Sequence, residues 1–264
     1  MREIRTGTAA LVPDGDGRRG WTVMVNGVPS SHLDLDDPLR LDFEYMRWIG
    51  DLLEVAAAPG EPLDTLHLGG AGCTLARYLA VIRPTSRQLV VEIDPELIEL
   101  VRRAFGLRST GLLRVRPGEA RAVLGTLPAD RYDVIIRDAF DREQVPAHLT
   151  TRGFLTDVRR VLRPGGIYLA NIGDTATMEL ARAEAATALT IFQNVVLIAE
   201  PAQFNGRRYG NVVLAGSNAA LPVDPLGRRL ASGAIRARML EDDEVGSFAA
   251  GRGPLEDPPL PAPA

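Results

Sequence analysis

The chain has 264 residues, 45% of them hydrophobic and 24% charged, with a formal net charge of −4. These values are ordinary for a soluble globular protein, and the acidic balance gives no electrostatic basis for binding nucleic acid. No run approaches the roughly 18 continuous apolar residues of a membrane helix. The charged N-terminus, Met1 to Arg5, shows no signal peptide, and the single cysteine, Cys73, excludes an internal disulfide. Together these features predict a cytoplasmic protein.

The first 40 residues predict a small region of β-hairpins. Thr8–Val12 and Trp21–Val25 are rich in apolar and β-prone side chains, and they flank the turn-prone segment 13–17. A second turn, at Asn26 and Gly27, leads into a further predicted strand. An N-terminal β region should therefore precede the main fold.

From residue 41 onward, predicted helices and strands alternate. The predicted helices cover 41–57, 74–82, 95–105, 119–124, 151–162 and 178–191. The predicted strands cover 63–68, 88–92, 112–115, 133–137, 167–170, 195–199 and 211–215, the last two as an antiparallel pair. Repeated strand–helix units predict an α/β fold with a doubly wound, mostly parallel, Rossmann-like sheet.

The segment after residue 217 has a different composition. One helix is predicted near Pro225–Met239, and we interpret the acidic run 241–244 as a solvated surface. The end is rich in proline, so we expect the last dozen residues to be disordered. The sequence thus predicts three parts, a β-hairpin region 1–40, a catalytic domain 41–217 and a C-terminal extension 218–264.

A glycine-rich turn marks the predicted cofactor site. Gly69, Gly70 and Gly72 follow a predicted strand and open a helix, so the backbone there can approach a ligand closely. Such turns also occur as plain tight connections. Glu92 ends the next strand, where a carboxylate can accept hydrogen bonds from two ribose hydroxyls. The alternative for Glu92 is a solvated acid at a strand end.

Two further acids follow neighbouring strands. Glu119 comes after the next strand, where an acid would lie near an adenine amino group; alternatively, it caps the following helix. Asp138 ends the fourth strand, at the carboxyl edge where ligands bind in such sheets. NAD or FAD could use a similar glycine turn, but the spaced G-x-G-x-x-G pattern is missing. The constellation therefore favours a nucleoside cofactor of the S-adenosylmethionine type.

The cysteine and the histidines carry less information. We interpret Cys73 and His67 as packed core residues, and His148 as a surface histidine or, alternatively, a base. The three histidines are scattered, and no carboxylate–histidine motif accompanies them. We therefore expect no metal site.

Four segments resemble the spermidine synthase (polyamine aminopropyltransferase) family. Leu66–Gly72 resembles its I-G-G-G-D-G-G turn, and Val91–Asp94 resembles its V-E-I-D segment. Tyr132–Asp141 is similar to Y-D-V-I-I-x-D-S-S-D, and Phe154–Gly166 is similar to a helix that ends in L-x-P-G-G. The resemblance runs from about Val23 to Ala215. It implies a class I methyltransferase-like fold with a seven-stranded sheet.

For the cosubstrate, the resemblance implies S-adenosylmethionine or its decarboxylated form, and no metal. Glu92 would hold the ribose, and Glu119 would face adenine. Gly69, Gly70 and Gly72 would form the turn beside the cosubstrate. In the family, the aspartate of this turn grips the aminopropyl ammonium, and that position is Gly72 here.

For the acceptor, the resemblance implies three residues of the site. Asp138 would accept a proton from the attacking amine, Asp141 would help to bind the acceptor, and Tyr45 matches a tyrosine of the family's Y-H-E or Y-Q-E segment. The residues after Tyr45 are Met46 and Arg47 rather than His or Gln followed by Glu. Because a polyamine is a chain of cations that needs carboxylates, Arg47 would add the wrong charge to the pocket.

Three functions stay open at this point. The first is aminopropyl transfer to a small-molecule amine other than putrescine, with the loop 139–149 as a gate over the site. The second is methyl transfer from S-adenosylmethionine to a non-polyamine acceptor, which Gly72 favours because an aspartate there would repel the methionine carboxylate. The third is nucleoside binding without catalysis. A homodimer is compatible with the sequence, and we expect no nucleic-acid or membrane partner.

Overall fold

The computed structural model describes residues 1–258 except residues 16, 71, 108 and 234. Ala71 of the glycine turn is thus outside the described part of the chain. An N-terminal antiparallel sheet of four strands precedes a larger sheet of eight strands. Within the described residues, no helix is both long enough and apolar enough to cross a bilayer.

The N-terminal sheet confirms the predicted hairpins. Its strands are β1 (Arg2–Ile4), β2 (Gly7–Pro13), β3 (Gly20–Val25) and β4 (Val28–Asp34), in that spatial order. Asn26 and Gly27 both have positive φ, 53° and 80°, and they connect β3 to β4. Positive φ at both central residues is what a two-residue hairpin turn requires, which explains why Asn-Gly was a reliable signal.

The large sheet has the order β12-β10-β11-β9-β8-β5-β6-β7. Its strands are β5 (Thr65–Leu68), β6 (Gln88–Glu92), β7 (Leu113–Pro117), β8 (Tyr132–Arg137), β9 (Leu162–Asp174), β10 (Asn194–Ala199), β11 (Gly210–Ser217) and β12 (Arg238–Leu240). Strands β5 to β9 run parallel, and β11 is antiparallel to both β9 and β10. Seven of these strands form the predicted methyltransferase-like sheet.

Helices cover both faces of the large sheet. They are α1 (Glu44–Val55), α2 (Thr74–Ile82), α3 (Pro95–Phe105), α4 (Ala120–Gly125), α5 (Arg152–Val161), α6 (Glu179–Leu189), α7 (Pro201–Phe204), α8 (Val223–Ser232) and α9 (Asp243–Ala249). Apolar side chains of α4, α5, α6 and α9 share one core cluster, and those of α1, α2 and α8 share another. A third cluster joins the N-terminal sheet to α3.

The predicted helix near Pro225–Met239 is wrong in its second half. Helix α8 ends at Ser232, and Gly233 continues in an extended conformation. Residues 238–240 instead form β12, which pairs with β10 and buries Leu240. The backbone hydrogen bonds of an otherwise exposed edge strand are thereby satisfied, which local periodicity could not reveal. The segment after residue 217 is therefore packed against the central sheet.

The acidic run 241–244 lies at the surface as interpreted from the sequence, whereas the predicted disorder at the end needs correction for residues 253–258. Asp243 and Glu244 are exposed, but they form the first turn of α9, whose Val245 and Phe248 are buried. Among the last dozen residues, Leu255 and Asp257 make specific hydrogen bonds with α4, α5 and α6. The last six residues, 259–264, lie outside the described part.

Candidate active site

The candidate site lies at the carboxyl edge of the parallel strands, where the strand order reverses. From β5 the chain proceeds to β6 and β7 on one side, and β8 and β9 lie on the other side. Loops that leave β5 and β8 therefore diverge and open a crevice, which is where ligands bind in such sheets. The glycine turn, Glu92 and Asp138 all follow strands that end at this crevice.

The glycine turn and the end of β8 are in direct contact. Gly69 has φ +93°, and a Cβ at this position would overlap with the backbone carbonyl of Asp138. The Asp138 N–H donates to the Leu68 carbonyl at 2.8 Å, which holds the two segments together. A Cβ at Gly70 would overlap with Val90. Glycine is therefore needed at both positions for close packing of the turn.

Glu92 is held at the rim of the glycine turn. Its side chain is buried, with Oε2 accepting the Gly70 N–H and Oε1 accepting the Asp94 N–H, both at 3.1 Å. These backbone donors fix the direction of the carboxylate, and a carboxylate oxygen can accept more than one hydrogen bond. The geometry allows the predicted contact with a ribose diol next to the turn.

Asp138 lies between two buried polar side chains. The Tyr45 hydroxyl donates to Oδ2 at 3.0 Å, and the Asn171 amide donates to Oδ1 at 2.9 Å. Burial raises the pKa of Asp138, and the hydrogen bonds from Asn171 and Tyr45 oppose that rise. Burial and the Asp138 charge raise the pKa of Tyr45 well above its usual value, so the phenol stays a donor.

Sequence reasoning missed Asn171, which lies on β9 beside β8. The residue is buried, and its Oδ1 has no hydrogen-bond partner among the described residues. A lone amide inside the apolar run 167–172 was the available signal, because buried amides need partners. Only the pairing of β9 with β8 shows that the partner is Asp138.

A cavity lies between Gly69 and Gly70 of the glycine turn and Ser30 and Ser31 of β4. Its described lining residues are Ser30, Ser31, Met46, His67, Gly69, Gly70, Cys73, Thr74, Leu75, Ala76, Val90, Ile136 and Asp138. Asp138 is the only acid among these described residues. The other lining residues are apolar or hydroxyl-bearing, apart from the imidazole of His67 and the thiol of Cys73, so the described lining offers a single carboxylate.

Arg47 is not among the described residues that line this cavity, contrary to our expectation. Its Nε donates to the Leu41 carbonyl, and its side chain lines a separate groove with Trp48 and Tyr78. The helix explains the difference: at 3.6 residues per turn, positions 45 and 47 of α1 point in nearly opposite directions. Met46, which follows Tyr45 in the sequence, lines the cavity instead.

The structure does not place Asp141 in the cavity beside Asp138. Asp141 is exposed, and its backbone forms a tight pair with Gln144. Three residues of irregular backbone after β8 carry it away from the strand edge. The predicted role of Asp141 in acceptor binding stays a prediction.

Glu119 serves as the N-cap of α4, which was the alternative to an adenine contact. Its carboxylate accepts the N–H groups of Arg121 at 3.0 Å and Ala122 at 2.8 Å, and it pairs with His148 Nε2 at 3.0 Å. Burial raises its pKa, but the hydrogen bonds from His148 and from the backbone outweigh burial and lower it. His148 thus brings the loop 139–149 against α4. An adenine contact through Glu119 stays a prediction.

Gly72 packs directly under the N-terminal sheet. A Cβ here would lie 2.7 Å from both Leu33 Cδ2 and Ser31 Oγ. Ser31 Oγ and Thr74 Oγ1 are hydrogen-bonded at 2.8 Å, and the Thr74 hydroxyl also contacts the His32 carbonyl at 2.6 Å. Strand β4 therefore occupies the space that a side chain at position 72 would need.

Comparison with known proteins shows the family. The sequence profile described as "Spermine/spermidine synthase domain" matches residues 43–216, well over half of the chain. The chain belongs to the spermine/spermidine synthase family. Members of this family are transferases.

Named relatives and structures agree with this assignment. The "Polyamine aminopropyltransferase" of Vibrio vulnificus (strain CMCP6) is 33% identical over 155 residues, 58% of this chain and 50% of that protein. The matched part thus spans about half the length of that curated relative. A probable spermidine synthase from Corynebacterium glutamicum ATCC 13032 has a TM-score of 0.91 at 36% identity, covering 99% of this chain and 98% of that one.

The fold is shared more widely. Human Methyltransferase-like protein 13, solved in complex with SAH, has a TM-score of 0.58 at 22% identity, covering 71% of this chain and 92% of that one. At this identity the likeness concerns the fold alone. It confirms the methyltransferase-like sheet predicted from the sequence.

Two cavity residues of this spermine/spermidine synthase family member are electrically neutral. Burial lowers the pKa of His67 to about 4, and its Nε2 is hydrogen-bonded to Gln88 Oε1 at 2.9 Å. Burial, together with the Glu92 charge, raises the pKa of Cys73 to about 12. The His67 imidazole and the Cys73 thiol therefore line the site as uncharged groups, which disfavours Cys73 as a nucleophile.

A group of potential metal ligands lies apart from this site. Within the described residues, ligand atoms of Asp14, His32 and Asp42 lie within 4.8 Å of one another. The Arg40 guanidinium lies 3.5 Å from Asp14 and 2.9 Å from Asp42. Because Arg40 already supplies the positive charge, we interpret this group as an ion-pair network that anchors the loop before α1.

We predict that Gly72→Asp destabilises the protein by about 2 kcal/mol or more, because the new side chain must displace Leu33 and Ser31 and bury a charge. Thermal unfolding of both proteins measures this difference. Gly111→Asp is the control, since Gly111 is exposed and a Cβ there has open space. Equal losses of Tm in the two variants would contradict the role of β4.

We predict that stability falls as the pH drops from about 6.5 towards 4. The unfolded chain protonates His67 near pH 6.5, whereas the folded chain holds it neutral until about pH 4. Above pH 6.5 His67 is neutral in both states and does not lower the free energy of unfolding. Below pH 6.5 the free energy of unfolding falls by about 1 kcal/mol per pH unit. Urea unfolding at several pH values, with wild type and His67→Gln, measures it. Identical slopes for the two proteins would show that His67 is not responsible.

Proposed function

We propose that this family member binds a cosubstrate of the S-adenosylmethionine type and transfers the aminopropyl group of decarboxylated S-adenosylmethionine to a small amine other than putrescine. The hydrogen-bonded arrangement of Tyr45, Asp138 and Asn171, beside the glycine turn, carries this proposal. It provides a buried proton acceptor at the point where a nucleoside cosubstrate and an amine would meet.

Glu92 and the glycine turn support the nucleoside half of the proposal. A buried carboxylate that is already oriented by the Gly70 and Asp94 N–H groups can hold both ribose hydroxyls with little loss of side-chain entropy. The absence of side chains at Gly69 and Gly70 lets the cosubstrate approach the backbone. The human methyltransferase-like neighbour was solved with SAH bound, which is compatible with a cosubstrate of this class.

Asp138 is the proposed general base. The amine attacks the carbon next to the sulfonium, the carbon–sulfur bond breaks with its electron pair on sulfur, and Asp138 takes the amine proton. Burial raises the pKa of Asp138, which improves it as a base, while Tyr45 and Asn171 keep its ionised form stable. Asn171 Oδ1, which has no hydrogen-bond partner among the described residues, can accept a second N–H of the amine and so orient its lone pair.

The charge of the cavity argues against putrescine. Putrescine carries two ammonium groups, and each one that leaves water needs a carboxylate. Asp138 is the only acid among the described lining residues. Arg47 no longer contributes to this conclusion, because it lies in the other groove.

Glu44, the residue before Tyr45, and its partner Glu200 do not change the charge available to an acceptor. The Glu44 carboxyl is hydrogen-bonded to Glu200, and burial together with this contact raises the pKa of Glu44. Arg208 lies 2.6 Å from Glu200 and 3.8 Å from Glu44. Because Arg208 compensates one carboxylate and the raised pKa of Glu44 favours its neutral form, this pair is a poor counter-charge for an acceptor.

Methyl transfer from S-adenosylmethionine is the second candidate. The packing of Gly72 against Leu33 and Ser31 favours it, since no carboxylate can stand at position 72 to repel the methionine carboxylate. The two reactions differ in the nucleoside product: aminopropyl transfer releases methylthioadenosine, and methyl transfer releases S-adenosylhomocysteine. Mass spectrometry of the products separates them. Binding without any turnover would support the third function, a non-catalytic nucleoside-binding protein.

We predict that Glu92→Ala weakens methylthioadenosine binding by about 2 kcal/mol or more, because a charge-assisted contact with the ribose is lost. Calorimetry with methylthioadenosine, S-adenosylmethionine and its decarboxylated form measures this and also ranks the cosubstrates. Glu96→Ala is the control, as Glu96 is exposed in the first turn of α3. Unchanged affinity of Glu92→Ala would remove the ribose assignment.

We predict little or no turnover with putrescine and decarboxylated S-adenosylmethionine, since the cavity lacks a second carboxylate. Release of methylthioadenosine, followed by mass spectrometry, measures the rate. A screen of small monoamines and amino compounds in the same assay is the comparison. Turnover of about 1 per second or more with putrescine would show that the missing carboxylate is supplied elsewhere.

We predict that Asp138→Asn lowers turnover about a hundredfold or more, while methylthioadenosine affinity stays nearly constant. The substitution keeps the shape of the side chain but removes the base. Steady-state kinetics with an acceptor from the screen measures it, and Asp141→Asn should instead raise the acceptor KM. Full activity of Asp138→Asn would mean that proximity alone accounts for the rate.

A further inference from the structure

The segment 253–258, called here the C-terminal strap, crosses the N-terminal end of α5 and contacts α6 near its C-terminal end. The Arg152 N–H at the start of α5 donates to the Leu255 carbonyl at 2.7 Å. The Leu255 N–H donates to Thr187 Oγ1 of α6 at 2.8 Å. Two backbone hydrogen bonds thus hold the strap at a defined register on the helices.

Asp257 of the strap fits a site built for it. The Arg121 guanidinium donates to Oδ1 at 2.5 Å and to Oδ2 at 2.7 Å, and the Thr151 hydroxyl donates to Oδ1 at 2.7 Å. A Cβ at Gly153 would overlap with Oδ2, so the carboxylate occupies space that only glycine leaves open. Arg121 and then Thr151 lower the pKa of Asp257 to about 2, so it is charged at neutral pH.

Arg121 connects this site to the edge of the candidate active site. The same guanidinium donates from Nη1 to the His148 carbonyl at 3.1 Å. His148 Nε2 in turn contacts Glu119, the N-cap of α4, at 3.0 Å. One arginine therefore joins the strap, the start of α4 and the loop 139–149.

The loop itself has little structure of its own. Its described backbone contains one tight pair, between Asp141 and Gln144, and a single 3-10 turn at Ala147–Leu149. Most of its residues from 141 to 148 are exposed or half-exposed. Such a loop is held in place by contacts with its surroundings rather than by internal packing.

We propose that Asp257 is a positioning residue for the nucleoside site. It fixes the Arg121 guanidinium, which fixes the His148 backbone and thereby the loop 139–149 over the crevice between α4 and β8. Docking of the strap and binding of the nucleoside then favour the same position of the loop 139–149, so each strengthens the other. The coupling to ligand rests on the proposed function, but the ordering of the loop does not.

The test compares Asp257→Asn with Glu256→Gln in the full chain. Both variants remove one negative charge from the strap, but the contact that Glu256 makes among the described residues is an exposed pair with Arg152. Hydrogen exchange of residues 139–151 and of the start of α4 measures loop order. Calorimetry with methylthioadenosine measures affinity, and thermal unfolding checks global stability.

We expect Asp257→Asn to speed exchange in the loop and to weaken methylthioadenosine binding about fivefold or more, with Glu256→Gln unchanged. Arg121→Gln should reproduce both effects, and the double variant should add little. Unchanged loop exchange in Asp257→Asn, or equal effects of Glu256→Gln, would overturn the proposal. So would faster exchange with no change in affinity. If the wild-type protein does not bind methylthioadenosine, the proposed function is refuted. Hydrogen exchange in the loop would still decide whether the strap orders the loop.

Discussion

The close contact between Gly69 and the Asp138 carbonyl is the constraint on which the site depends. It brings the loop after β5 against the loop after β8 at the reversal of strand order, with no side chain between them. The Asp138 N–H also donates to the Leu68 carbonyl, so the position of Asp138 follows from strand pairing rather than from its own side chain. A nucleoside that approaches the turn must therefore pass close to this carboxylate.

The N-terminal sheet completes the other wall of the site. Thr6 donates from both its N–H and its hydroxyl to Asp94, the N-cap of α3, at 2.8 and 2.9 Å. Ser31 reaches Thr74 at the start of α2. These contacts hold β4 over Gly72 and explain why that end of the cavity is uncharged. The sheet thus influences the chemistry of a site whose main residues lie in another part of the chain.

Local signals predicted most of the fold. The bounds of α2, β6 and α3 agree with the prediction because hydrophobic period, Pro95 and the Asp94 cap are all encoded within a few residues. Asn171 and β12 could not be found in this way, since their partners are far away in sequence. Arg47 was misplaced because sequence order was read as proximity, whereas helical geometry turns it away from Tyr45. For Glu119, the role as helix N-cap could be predicted from the local sequence, whereas a ligand contact could not.

The environment of Asp138 extends one residue back along β8. Arg137 is fully buried on the opposite side of the strand, where Glu184 of α6 binds its guanidinium at 2.7 Å and Tyr168 accepts from its Nε at 3.1 Å. The ion pair between Arg137 and Glu184 fixes the end of β8. The Arg137 charge lowers the pKa of Asp138, whereas burial raises it. This environment supports the proposed role of Asp138 as a base, because burial raises its pKa while the donors and the cation favour its ionised form. A buried carboxylate without these neighbours would take up a proton and could not accept one from an amine.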